Sequence, residues 1–189
     1  MRADARRNAE RILDATAELL AGDPSVSLEQ VAARAGVTRA TLYHHFAGRD
    51  ALLDALTARS VIEVTAAVES ARPDEGSATE ATERVVRAAW QVVGRYRGLV
   101  IVNPRRLQRA ELRRRLGPAL GPVRKLILRG QRSGEFDSEL PAEWLIGVIT
   151  DLIHAASGQV TAGAMDPDAA ERALVRTARG ALAGPGPPA

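Results

Sequence analysis

The chain has no cysteine, which excludes disulfides, thiolate zinc centres and cysteine nucleophiles. Aromatic residues are nearly as scarce, with two Phe, two Tyr and two Trp among 189 residues. Apolar residues make up 46% of the chain, so the core must be built from Leu, Val, Ile and Ala. Such a diet favours helices, because Ala and Leu are strong helix formers. No uninterrupted apolar stretch approaches the roughly 20 residues that span a bilayer. The chain opens on charged residues with no apolar signal-type segment. A soluble, cytoplasmic protein without membrane association is expected. Lysine is almost missing too: Lys125 stands alone among 26 basic residues.

Net charge is +3, and its distribution says more than its sum. Residues 1–50 carry seven Arg and seven acids, and residues 51–94 are net −3. Residues 95–132 hold twelve basic residues against Glu111, and residues 133–189 are net −5. If the first fifty residues meet a polyanion, they do so through a local patch, with Arg2, Arg6, Arg7 and Arg49 as candidates, and not through bulk charge. Two readings of the cation-rich stretch are open. Arg109, Arg113, Arg114 and Arg115 face solvent and answer acids elsewhere, such as those of the acidic C-terminal region, or they draw an anionic ligand such as a carboxylate or a coenzyme A thioester.

Helical periodicity predominates and no run alternates as a strand does, so an all-α fold of about nine helices is predicted. The first covers about 5–21 and stops at Gly22 and Pro24. The second starts at Ser27, which forms a capping-box pattern with Gln30, and ends at Gly36. Thr38 caps a short third helix reaching Phe46. A fourth covers about 49–71 with Leu52, Leu53, Leu56 and Ile62 inward, followed by a loop at 73–77. A fifth runs to about residue 97. Asn103-Pro104 is expected to break the path before a sixth helix at about 105–116, and two Gly-Pro pairs at 117–118 and 121–122 lead into a seventh. The eighth spans about 141–162, and Asp166 with Pro167 opens the ninth. This divides the chain into a three-helix N-terminal unit at 1–48, a larger helical domain at 49–183 and a disordered tail at 184–189.

Residues 27–46 have the parts of a helix-turn-helix: a bracing helix, a tight turn at Gly36, and a second helix free to enter a major groove. At about 100° per residue, Leu42 and Phe46 define the core side of that second helix. Ala40, Thr41, Tyr43 and His44 then occupy the opposite arc, with Arg39 on its flank. An Arg there reaches guanine O6 and N7 together, while Tyr43 and Thr41 suit phosphates. Ser27 and Thr38 begin their helices, so their hydroxyls and nearby N–H groups suit phosphate oxygens, although capping alone also explains them. Adjacent His44 and His45 cannot comfortably ligate one metal, and no nucleophile motif, phosphate loop or metal spacing accompanies the other titratable residues. Neither an enzyme nor a cofactor or metal site is expected.

The run Val31-Ala32, Ala35-Gly36-Val37, Thr41-Leu42-Tyr43 and His45-Phe46, followed by Leu52-Leu53, resembles the signature of the tetracycline-repressor (TetR) family. The resemblance covers about the first quarter of the chain. It implies that Arg39, Ala40, Tyr43 and His44 face double-stranded operator DNA and that Arg49 grips phosphate. Lys is usual at that last position, and Arg keeps the charge but not the geometry. It also implies a homodimer and a small-molecule effector bound in the C-terminal domain. Effector-binding candidates are the rare large or polar residues among aliphatics: Trp90, Tyr96, Asn103, Trp144, Asp151 and His154. Asp151 and His154, three apart on a helix, can instead pair with each other. Small residues Gly147, Ala155, Ala156 and Gly158 on the eighth helix, and the ninth-helix stripe Ala170, Ala173, Leu174, Thr177 and Ala181, suit an isologous four-helix interface through about 141–162 and 167–183. Packing within one subunit also explains the eighth-helix residues, and explains less well the stripe on a nearly terminal ninth helix. The expected function is that of a ligand-responsive regulator, a repressor released from a palindromic operator. The alternative is a helical small-molecule-binding protein with a weak or vestigial DNA-binding head.

Overall fold

The computed structural model describes residues 2–184, the side chains of residues 2, 3 and 109 excepted. The roles expected of Arg2 and Arg109, and the tail from residue 185, lie outside the described residues. Among the described residues the chain is all-α, as predicted. Its nine helices are α1 (Arg2–Gly22), α2 (Leu28–Ala35), α3 (Arg39–His45), α4 (Arg49–Ser70), α5 (Ala78–Arg95), α6 (Arg97–Arg106), α7 (Arg109–Ser133), α8 (Ala142–Thr161) and α9 (Pro167–Leu182). None is long and apolar enough to cross a membrane.

Local chemistry sets several helix starts. Ser27 and Gln30 form the predicted capping box at α2, and Asp166 caps α9 with Pro167 behind it. A further box, Ser77 with Glu80, opens α5. The α5 N-terminus also takes a distant acid: the Glu135 carboxylate accepts from the Ala78 and Thr79 N–H groups at 3.0 and 2.9 Å.

Proline is where the prediction fails. Asn103-Pro104 does not break the path, since α6 runs through Pro104 to Arg106. The two Gly-Pro pairs do not separate helices either, because α7 is continuous across Pro118 and Pro122. Each proline removes one N–H donor and costs about 3 kcal/mol in a helix interior. Spaced four apart, the two in α7 leave the carbonyls of Arg114 and Pro118 without helix donors, and both residues are exposed. The opposite side of α7 buries Ala119, Val123, Leu126 and Ile127, and that burial keeps the helix intact. Ile62 is a second correction. It is 70% exposed, and neighbouring Val61 takes the inward place, because one residue turns the helix by about 100°.

The buried apolar residues form two clusters. One gathers α1–α3 around Ile12, Leu42, Leu52 and Leu56 and includes Tyr96 and Leu99. The other packs the C-terminal part of α4 with α5, α7, α8 and α9 around Val86, Ile127, Leu145 and Leu174. α4 enters both, through Leu52, Leu53 and Leu56 at one end and Val68 at the other. α6 lies on α1 so closely that a Cβ on Gly98 would collide with the Leu20 backbone.

Gly98→Ala is therefore expected to lower stability by about 1–3 kcal/mol, the usual cost of overpacking, as measured by urea unfolding. Glu135 gives a pH-dependent counterpart. The Ala78 and Thr79 N–H groups hold its carboxyl down to about 2, below the roughly 4.3 of an unfolded chain. Its stabilisation is thus complete above that unfolded value and is lost as pH falls through about 2. Glu135→Gln is expected to weaken the fold by roughly 1 kcal/mol at neutral pH and to flatten the acid limb of an unfolding titration.

Candidate nucleic-acid interface and apolar cavity

The turn between α2 and α3 needs a left-handed residue, and Gly36 supplies it at φ 63°, ψ 39°. The Val37 N–H then reaches back to the Ala32 carbonyl at 3.0 Å. Two arginines bolt this unit together. Arg11 of α1 donates to the carbonyls of Ala35 and Gly36. Arg49, at the start of α4, donates to those of Val26 and Pro24. The guanidinium expected to grip phosphate therefore already holds the α1–α2 loop. Arg11 carries no sequence signal for its role, because its partners lie 24 and 25 residues away.

Leu42 is wholly buried and Phe46 nearly so, which seats α3 and fixes what it presents. Arg39, Ala40, Tyr43 and His44 are exposed together, with Thr41 half-buried beside them. The Thr38 hydroxyl accepts from the Thr41 N–H at 3.1 Å and lies 2.8 Å from the Thr41 hydroxyl. The Ser27 hydroxyl accepts from the Gln30 N–H at 3.2 Å. Both hydroxyls therefore act as caps. Arg39 pairs with Glu29 of α2 at 2.9 Å, and its guanidinium lies over the Tyr43 ring at 5.4 Å. Sequence reading had not singled out Glu29. Three other exposed cations of this unit are paired as well: Arg6 with Glu10, Arg7 with Asp4 and Arg34 with Glu18.

The larger helical body encloses a cavity of about 160 Å³. Its wall draws on α4 (Thr57, Val61, Val64), α5 (Thr82, Val86), α6 (Asn103), α7 (Leu120, Val123) and α8 (Ile149, His154). Of the six predicted ligand-facing residues, Tyr96, Asn103 and His154 are on this wall. Trp90 is buried in the core beside it, while Trp144 is 61% exposed and Asp151 also faces solvent. Trp144 and Asp151 share the side of α8 opposite Ile146 and Ile149, which explains their absence from the wall. The Tyr96 hydroxyl donates to Glu63 at 2.6 Å; burial first, and then this bond, push it up to about 12. Asn103 donates to the Thr57 hydroxyl at 3.1 Å and accepts from Arg106 at 3.2 Å. Arg106 and Arg115 both pair with Asp54 of α4, at 2.8 and 2.7 Å.

Among the described residues, the cations of 95–132 do not line the cavity, and no Arg or Lys stands on its wall. Arg95 pairs with Glu63, Arg114 with Glu111 and Arg124 with Glu143. Arg129 donates to the carbonyls of Gly76 and Pro73. Most of the answering acids thus come from α4 and α7, with Glu143 alone of these from the acidic C-terminal region. Drawing an anion into the cavity has no support in this arrangement.

Residues 12–56 match the family model described as bacterial regulatory proteins, tetR family. The chain is 41% identical over 83 residues to the HTH-type transcriptional repressor LfrR of Mycolicibacterium smegmatis, a stretch covering 43% of each protein. It is 41% identical over 58 residues to the uncharacterized HTH-type transcriptional regulator TtgW of Pseudomonas putida, covering 30% of this chain and 43% of that one. Each match thus spans less than half the length of the curated relative. The fold is similar over nearly the whole length to the crystal structure of LfrR from Mycobacterium smegmatis in complex with proflavine. There the TM-score is 0.76 at 25% identity, covering 94% of this chain and 97% of that one. The helix-turn-helix segment, residues 12–56, thus matches the tetR family of bacterial regulatory proteins, and the fold over nearly the whole chain is similar to that of a TetR-like regulator.

Proposed function

We propose that the chain is a DNA-binding transcriptional regulator, a repressor released from a palindromic operator when a small molecule occupies the cavity. The observation that carries this reading is the exposed face of α3. Leu42 and Phe46 anchor the helix, Gly36 sets its angle to α2, and Arg39, Ala40, Tyr43 and His44 are left to meet a groove. In this reading Ser27, Thr38 and Thr41 approach phosphates while they cap their helices, and Arg49 positions the α1–α2 loop against the backbone. The paired cations are no obstacle, because exposed ion pairs are worth at most about 1 kcal/mol and phosphate can replace the acid.

The cavity supports the effector half. α4 lines it with Thr57, Val61 and Val64 and also holds α1–α3 through Leu52, Leu53 and Leu56. A ligand against α4 therefore acts on the element that positions residues 1–48 against residues 49–183. The relative named as a repressor, and the neighbour solved with proflavine, favour the same reading. Dimerisation through α8 and α9 is supported by the side chains left outside the core. Trp144, Ala155 and Gly158 on α8 and Ala173 and Thr177 on α9 are exposed, whereas Ala170 and Leu174 pack inward.

Selection of bound duplexes from a random pool tests the DNA reading. The chain should enrich a two-fold symmetric site with half-sites about one helical turn or slightly more apart, and equal weak binding to all duplexes would refute it. Arg39→Ala should relax the preference at one position of each half-site, worth about 1–3 kcal/mol. Tyr43→Phe should weaken binding to all sites alike. Ala155→Glu should shift the protein toward monomer in sedimentation equilibrium and reduce operator affinity in parallel.

A further inference from the structure

The polar groups on the cavity wall are nearly all spoken for. The Thr57 hydroxyl donates to the Leu53 carbonyl at 2.7 Å and accepts from Asn103. The hydroxyls of Ser60 and Thr150 donate to carbonyls of their own helices at 2.8 Å each. Tyr96 is spent on Glu63. Two wall residues keep capacity in hand. Thr82 is 5% exposed, and its buried hydroxyl has no hydrogen-bond partner, a deficit that buried hydroxyls rarely carry. His154 lies with Nδ1 2.7 Å from the Thr150 carbonyl oxygen. A carbonyl cannot donate, so Nδ1 holds the proton. In the neutral ring Nε2, on the edge away from its own backbone, is then a bare acceptor. No described protein group takes it up.

Among the described residues the wall thus offers one acceptor and one unpaired hydroxyl, its other groups being apolar or already hydrogen-bonded, with no carboxylate, guanidinium or ammonium on it. We propose that the cavity takes a neutral, largely hydrocarbon molecule bearing a hydroxyl. That hydroxyl donates to Nε2 of His154, and an oxygen of the molecule accepts from Thr82. An anion is disfavoured twice, because it meets an acceptor at His154 and is desolvated without a counter-charge. A pure hydrocarbon leaves both protein groups unpaired. The volume, about 160 Å³, is close to that of an engineered cavity of about 150 Å³ that holds benzene, so a single substituted ring is of suitable size. This inference rests on the reading of the cavity as a ligand site.

Titration calorimetry of the full chain with 4-ethylphenol, ethylbenzene and 4-ethylbenzoate tests it. 4-Ethylphenol should bind roughly fivefold to tenfold more tightly than ethylbenzene, the worth of about one neutral hydrogen bond, and 4-ethylbenzoate should not bind measurably. Thr82→Val and His154→Leu should each shrink the phenol preference, with ethylbenzene binding reporting that the cavity is intact. The inference is overturned if ethylbenzene matches 4-ethylphenol in the parent, if the preference survives both substitutions, or if the carboxylate binds best. If none of the three binds, the ligand-site reading falls and takes this inference with it.

Discussion

Between Leu52 and Val68 the chain runs as one unbroken helix whose two ends are buried in different company. Leu52, Leu53 and Leu56 sit among α1–α3, and Val68 sits among α5, α7, α8 and α9. Each buried Leu contributes about 1.5–3 kcal/mol of apolar burial, so neither end can leave its cluster cheaply. The region between them carries Thr57, Val61 and Val64 on the cavity wall. A rigid rod gripped at both ends has few ways to respond to a change at its middle. Any displacement would move it as a unit and carry the α2–α3 pair with it through the Arg49 contacts to the α1–α2 loop.

Arginine does the joining in this protein. Arg11 and Arg49 tie helices to loop carbonyls, Arg59 ties α4 to α1 through Asp14, and Arg106 and Arg115 tie α6 and α7 to Asp54 of α4. The planar fork of donors suits this work better than an ammonium does. Five of the cations at 95–132, Arg95, Arg106, Arg114, Arg115 and Arg124, are likewise met by carboxylates.

The helix-turn-helix was legible because its signals are local. A capping box four residues long, a glycine able to turn left-handed, and two core residues four apart can all be seen in the chain without knowing the fold. The same holds for the all-α class and for the Asp166-Pro167 start of α9. The boundaries of α6 and α7 were not legible. Proline is read as a break by its local cost, whereas here burial of Ala119, Val123, Leu126 and Ile127 outweighs that cost. The cavity was half legible. Tyr96, Asn103 and His154 stand out as polar residues among aliphatics, but so do Trp144 and Asp151, and only the phase of α8 against its neighbours separates the two groups. Thr82 gave no signal at all, since a threonine on a helix is unremarkable until its hydroxyl is found without a partner.

The polar chain from the cavity to α4 would set a physical threshold for any displacement of that helix. Asn103 faces the cavity and holds Thr57 of α4, Arg106 holds both Asn103 and Asp54, and Arg115 holds Asp54 from α7. Sliding α4 past α6 and α7 must break these bonds together, because Asp54 and Thr57 lie one turn apart on the same helix. Groups that break together favour two discrete positions over a continuum. A bound molecule can shift the balance between such positions only by the difference in its affinity for them. A ligand that merely filled the hydrocarbon part of the cavity would touch walls that differ little between the two. If the cavity is a ligand site as proposed, a ligand group that disturbed the bond from Asn103 to Thr57 would act where the two positions differ most.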